Sequence, residues 1–256
     1  MNHLEIYSSS LASGTSLLQV TAVSSNIYPK TNNGFLVQNL NQIASIAVIG
    51  SGAIRGQLQS ASLRVQPFID IVPVNRSVGA ETPVRFSDFT DQPLKVKSNE
   101  ELDFFAAQNS GGNATLTALV FFTDGPIRPA SSTGAITVHA TASATLTANA
   151  WTAVTFALDT SLDPGTYSII GMRAYSATGI AARLIPNSGS QTYRPGVPMV
   201  QSYDGYDFEY ARYGNMGQFI TFATTALPQV EVFATSADTA EELWLDLVQV
   251  SSSVTG

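Results

Sequence analysis

The sequence predicts an all-β chain built as two tandem eight-stranded antiparallel jelly rolls. Three observations lead there. Short runs rich in β-branched and aromatic residues alternate in polarity and are bounded by turn residues; helical periodicity is nearly absent; and similar strands recur about 128 residues apart. A length of 256 residues suits one large β domain or two small ones with cores of their own.

In chain order, the first repeat match pairs Asn33-Gly34-Phe35-Leu36-Val37 with Pro164-Gly165-Thr166-Tyr167-Ser168 at an offset of 131. The Gly-rich GSGAIRG (50–56) opens a second strand. Its spacing is G-x-G-x-x-x-G in β surroundings with no helix following, so it reads as a bulge or tight turn, not a dinucleotide fingerprint. The strand beyond it, Ile54–Leu58, echoes Ile180–Leu184 at offset 126, and Val84-Arg85-Phe86 echoes Ala211-Arg212-Tyr213 at 127. Leu102–Ala106 falls over Val230–Ala234, and Thr117–Val120 over Leu245–Val248, both at offset 128. Turn residues punctuate these runs at SGG before Asn113, TDGP (123–126), LDPGT (162–166) and YDGYD (203–207). Pro164 pre-sets φ and Gly165 accepts positive φ, which fits a tight reverse turn. Around Thr239–Leu243 a capping Thr and two Glu allow one helical turn at most, because Leu243, Leu245 and Leu247 then alternate as a strand.

The stretch DGPIRPASSTG (124–134) offers little to a strand ladder and marks a boundary. The expected division is 1–126 for the N-terminal jelly roll, 127–134 for a linker and 135–256 for the C-terminal jelly roll. An immunoglobulin-like sandwich would also hold this many strands. It is less favoured without a Cys–Trp–Cys framework, and the long segments 75–100 and 186–211 suit a jelly roll's end loops.

Charged residues make up only 12%, about half the usual share, and the net charge is −7. Residues 1–128 carry 8 basic and 9 acidic side chains; residues 129–256 carry 4 and 10. With no basic patch or Arg-rich arm, direct nucleic-acid binding is not expected. There is no cysteine, which excludes disulfides and thiolate metal sites. No run nears the roughly 18 apolar residues of a membrane helix, and the opening MNHLEIYSSS does not read as a secretory signal.

Candidate chemistry is sparse. Of the two histidines, His3 lies in a terminal stretch expected to be loose, and His139 reads as a solvent-facing or satisfied strand residue, not a base. No G-x-S-x-G elbow or Walker pattern is present. Asp103 and Glu231 resemble a carboxylate pair but are repeat-equivalent, which puts them in separate domains. Asp204, Asp207 and Glu209, among the tyrosines of 203–210, could offer oxygens to Ca²⁺, but a solvated loop with packed tyrosines fits better. Asn75-Arg76-Ser77 and Asn113-Ala114-Thr115 match the glycosylation sequon without a secretory context. Trp151 and Trp244 sit in apolar strands and read as core. No catalytic, cofactor-binding or metal residue is assigned, no cofactor is expected, and the chain is not expected to be an enzyme.

Two small jelly rolls in tandem, free of cysteine and low in charge, resemble the double jelly-roll major capsid proteins of tailless icosahedral viruses, above all those of membrane-containing bacteriophages. The resemblance is architectural and covers the whole chain. It implies a homotrimer whose six jelly rolls form a pseudo-hexagonal block, and blocks that tile an icosahedral shell. It also implies a virion location after assembly in the host cytoplasm, and contacts with minor capsid or vertex proteins. Many such proteins reach an inner membrane with a polar or basic arm. Here both ends are short and nearly uncharged, so direct membrane contact is not expected. The alternative reading is a carbohydrate-binding or adhesin-type β-sandwich module, with Tyr and Trp platforms for sugar rings.

Overall fold

A computed structural model describes residues 2–23, 27–65, 69–75, 86–125, 134–186, 193–202 and 218–252. The chain divides into two compact units, His3–Asp124 and Gly125–Gly256 with Met1–Asn2. Residues 126–133, which hold most of the expected linker, lie outside the described residues, as do 203–217 with their acidic tyrosine segment.

The N-terminal unit contains β1 (Asn2–Leu11), β2 (Gly14–Val20), β3 (Lys30–Thr31), β4 (Gly34–Leu36), β5 (Gln42–Gly50), β6 (Ala53–Ser60), β7 (Ile69–Ile71), β8 (Val74–Asn75), β9 (Phe86–Asp88), β10 (Leu94–Lys95), β11 (Glu101–Gln108) and β12 (Ala114–Thr123). The C-terminal unit contains β13 (Ile136–Ala142), β14 (Ala150–Val154), β15 (Ala157–Leu158), β16 (Gly165–Ser176), β17 (Gly179–Ile185), β18 (Gly196–Pro198), β19 (Thr221–Ala223), β20 (Gln229–Ala234) and β21 (Glu241–Ser252). A single 3₁₀ turn, Ser62–Val65, is the one helical element among the described residues.

Each unit is a two-sheet sandwich. The first unit's sheets run β1-β12-β5-β10, with β8 and β9 also on β5, and β3-β4-β11-β6-β7, with β2 on β11. The second unit's run β15-β13-β21-β16-β19 and β14-β20-β17-β18. Counting only the principal strands of each unit, both show one order: first–eighth–third–sixth in one sheet and second–seventh–fourth–fifth in the other. That is a jelly roll, in which the last strand slots between the first and third. The pairings are mostly antiparallel; Ile49 and Gly50 of β5 run parallel to Val74 and Asn75 of β8, and isolated parallel bridges join Ala148 to Ala234 and Tyr175 to Val200.

The topology checks the internal repeat strand by strand. Leu102–Ala106 and Val230–Ala234 both lie on seventh strands, and Ile54–Leu58 and Ile180–Leu184 on fourth strands. Register refines the second match. Phe104 faces Leu58 and Val232 faces Ala182, so the true offset there is 124; the two-residue slip keeps the faces. On the eighth strands the sequence match slips by one. Ser8 bonds Thr117 and Thr137 bonds Asp246, each pair 109 residues apart, which sets the offset at 129 and puts the matched residues on opposite faces. The match of Asn33–Val37 with Pro164–Ser168 fails, since β4 belongs to the second-strand position and β16 to the third. The residues around Arg85 and Arg212 lie outside the described residues.

Cores lie between the sheets. In the C-terminal unit Val138, Met172, Leu243, Leu245 and Leu247 from one sheet meet Val154, Leu184, Val197, Val230 and Val232 from the other. In the N-terminal unit Tyr7 of β1 reaches the opposite sheet, with ring centroids 4.9 Å from Phe35 and 5.8 Å from Phe104, and its hydroxyl donates to the Leu102 carbonyl. The GSG run is the tight turn expected. Gly52 adopts φ +68° between β5 and β6, and Gly56 faces the core, where a Cβ would stand 2.9 Å from the Phe104 ring. At Pro164 the chain bends into β16, but Gly165 does not take the positive φ expected of a tight reverse turn because it already pairs with Ser252 as the first residue of the strand; the Tyr167 hydroxyl donates back to the Asp163 carbonyl at 3.2 Å. No helix forms at 239–243; β21 starts at Glu241.

Candidate functional site

The polar chemistry of the C-terminal unit gathers on the outer faces of its two sheets, where strand alternation sends every second side chain away from the core. On β21, Leu243, Leu245 and Leu247 point inward, so Glu242, Trp244 and Asp246 point outward. Their cross-strand neighbours are Thr141, His139 and Thr137 on β13, and Tyr175, Arg173 and Gly171 on β16.

His139 is the hub of this face. Its Nδ1 lies 2.5 Å from Asp159 Oδ2 and its Nε2 3.1 Å from Glu242 Oε2, while its ring packs tilted against Trp244 with centroids 4.8 Å apart. Burial pulls the imidazole pKa down, but the hydrogen bonds and charges of Asp159 and Glu242 outweigh it and raise the pKa above its ordinary 6.5. Beyond Trp244, Arg173 stands 3.7 Å from Asp246, which accepts the Thr137 hydroxyl at 2.6 Å. His139 is thus a satisfied strand histidine, as its alternation suggests.

The outer face of the other sheet is a buried charge cluster. Arg183 on β17 donates Nε to Glu231 at 2.8 Å, Arg194 donates to both Glu231 oxygens at 2.8 and 2.7 Å, and the Arg183 guanidinium lies 3.9 Å from the Trp151 ring centroid. Only 2% of the Arg183 side chain is exposed. Neither tryptophan is core, contrary to the sequence reading. Trp151 and Trp244 are half-buried on outer faces, one against Arg183 and Phe233, the other against His139. The signal was present, for Trp244 alternates with the inward leucines in step with two acids.

At one end of this unit burial drives the Glu241 carboxyl above its usual value, with nearby Asp238 adding to the effect, although Ala144 N–H donates to it at 3.2 Å. Burial would raise Asp238 as well. Hydrogen bonds from Ser176 and from the Thr239 amide overcome that and lower it.

In the N-terminal unit His3 is not loose. It is buried within β1, its Nε2 2.6 Å from Glu5 Oε1 and its ring 4.7 Å from Tyr28, and sequence reasoning had no signal for this. Glu100 ties two connections together: it accepts both hydroxyl and amide from Ser62 and the Ser60 hydroxyl. These bonds outweigh its burial and hold its pKa below the ordinary value.

Asp103 and Glu231 each have partners within their own unit. They lie in different units, with Asp103 taking a bond from Gln19 at 3.0 Å while Glu231 holds its two arginines. Among the described residues no group of three His, Asp or Glu side chains is arranged to hold a metal ion, and no helix is long and apolar enough to cross a membrane.

Similarity to major capsid proteins is found at the level of structure. The chain is similar to the major capsid protein P2 from bacteriophage PM2, with 12% identity and a TM-score of 0.25 over 96% of this chain and 99% of that one. It is also similar to the STIV MCP, with 12% identity and a TM-score of 0.28 over 95% and 97%. No family model and no curated protein matches the chain.

Proposed function

We propose that this chain is a virion structural protein without enzymatic activity, a major capsid protein that self-assembles as pseudo-hexameric homotrimers into an icosahedral shell. The observation that carries the reading is the repeated strand order, first–eighth–third–sixth and second–seventh–fourth–fifth, in both halves of one chain. Three copies of such a chain supply six like-folded sandwiches, so a three-fold oligomer meets its neighbours around a near-hexagonal perimeter. The assignment 1–126, 127–134 and 135–256 for the two jelly rolls and their linker belongs to this proposal, as do lattice contacts with further copies and with minor capsid or vertex proteins. Light scattering on the purified protein, followed by negative-stain imaging, tests it. A trimer of hexagonal outline, or spontaneous sheets and shells, supports the reading; a monomer at every concentration overturns it.

A second reading, a carbohydrate-binding or adhesin module, gains from one observation. Trp244 and Tyr175 are half-exposed on the same outer face, beside Glu242 and Arg173, the mix of ring and polar groups that holds a sugar. A glycan array followed by Trp244→Ala on any hit tests it. Binding that the substitution abolishes supports the module, and an empty array removes it.

A further inference from the structure

Both ring nitrogens of His139 face carboxylate oxygens, Asp159 at 2.5 Å and Glu242 at 3.1 Å. An ionised carboxylate only accepts, so each nitrogen has to donate, and neutral imidazole carries a single N–H. The geometry therefore calls for the doubly protonated ring. Asp159 directly follows β15, the two-residue strand at the edge of the sheet, which β13 holds through Ala140–Leu158 and Thr141–Ala157. The Asp159 amide also donates to the His139 carbonyl at 3.0 Å. Apart from these pairings and the partial packing of Leu158 on the core, His139 is the described tie between β15 and the interior of the sheet.

We propose that the His139 imidazolium is a pH-dependent latch that holds the edge strand β15 against β13. The charged groups around it are few. β21 contributes Glu242 with the Trp244 ring, the segment after β15 contributes Asp159, and β16 contributes Arg173, which lies across Trp244 and is drawn to Asp246. On β13 its same-face neighbours are Thr137 and Thr141, both neutral. When the ring loses a proton, one nitrogen becomes an acceptor facing an acceptor and one of the two ties breaks. The edge of β13 near Ala140 and Thr141 is then covered less firmly, which frees backbone groups able to pair with an added strand. The latch is independent of the assembly reading and acts in a monomer as in a shell.

The test uses the full chain and two readouts. Long-range ¹H–¹⁵N spectra of the imidazole ring report which nitrogens carry protons between pH 6 and 9. Hydrogen exchange at the Asp159 amide, corrected for the intrinsic pH dependence of exchange, reports how firmly β15 is held. The latch predicts two protonated ring nitrogens at pH 6, with loss of one proton above the ordinary histidine range. It predicts a fall in Asp159 protection of about fivefold over the same interval, the factor that corresponds to a partly exposed ion pair. In the Asp159→Asn, Glu242→Gln variant the ring should titrate near its ordinary value and the pH-linked fall should disappear. A ring that is singly protonated at pH 6, or protection that stays constant while the ring deprotonates, overturns the proposal.

Discussion

The seventh strands of the two halves each carry an outward acid two residues before an outward phenylalanine: Asp103 and Phe105 on β11, Glu231 and Phe233 on β20. The surroundings then diverge. Around Asp103 the face is amide-rich and open, with Gln19 and Gln59 as neighbours and the Arg55–Asp70 ion pair, whose side chains are 49% and 57% exposed, a short way along. Around Glu231 the face is closed over two arginines, Trp151 and Phe233. The strand geometry is the same, and the ion pair on one face is about half exposed while on the other Arg183 and Glu231 are 2% and 14% exposed. The cores differ in the same positions. The facing pair Phe104–Leu58 in one is Val232–Ala182 in the other, so the duplicated framework has been filled with different volumes.

The contrast can be broken most sharply at Arg183. Its removal as Arg183→Ala takes a hydrogen-bonded charge from beside Glu231 and the cation from the Trp151 ring. The expected loss is about 2–4 kcal/mol in denaturant unfolding, with a change in tryptophan emission, because Glu231 keeps Arg194 but loses one charged hydrogen bond while the Trp151 ring loses its cation. A loss below about 1 kcal/mol would mean that the face is wetter than its burial suggests.

Gly56→Val tests the N-terminal core, where the added Cβ meets Phe104 and Val48. Overpacking of this kind costs about 1–3 kcal/mol, read as a lowered denaturation midpoint.

The third prediction compares acids by pH. Glu241 has a raised pKa in the folded state, so the stability it brings is complete below about pH 4.5 and is lost as pH rises through its folded value. Glu100, lowered in the folded state, works in the other direction: its contribution is present above 4.5 and is lost as pH falls. Glu241→Gln should therefore raise stability at pH 7 by about 1 kcal/mol, and Glu100→Gln should lower it by a similar amount. Melting curves from pH 4 to 8 check both signs.

The smallest effect belongs to the exposed pair. Asp70→Asn should change stability by no more than about 0.5 kcal/mol, a shift that moderate salt should mask.

Much of this contrast lies beyond what the sequence displays. Alternation in Leu243-Trp244-Leu245-Asp246-Leu247 states that two faces exist and which residues share one, so the β class was legible, as was the seventh-strand repeat from its offset of 128. It does not state whether the second face is covered. That is why Trp244 and Trp151 read as core, and why His3, in a polar opening stretch, read as loose when it is buried beside Glu5. Offsets are fragile for a related reason. A one-residue slip on the eighth strands passes unnoticed where both faces are apolar, as in β12, whose residues from Leu116 to Thr123 are all buried.

The position of the eighth strand sets a timetable for synthesis. In each half the final strand is a central plank: β12 lies between β1 and β5, and β21 between β13 and β16. Neither sheet can close while its last segment is still inside the ribosome. The first half is complete once Thr123 has emerged and can shut while the second is being made, since domains leaving the ribosome fold N-terminal first. The second half waits for β21 to emerge. A messenger cut short before the codon for Glu241 would therefore yield one finished sandwich joined to one with an open slot along its middle, lined by the unpaired edges of β13 and β16.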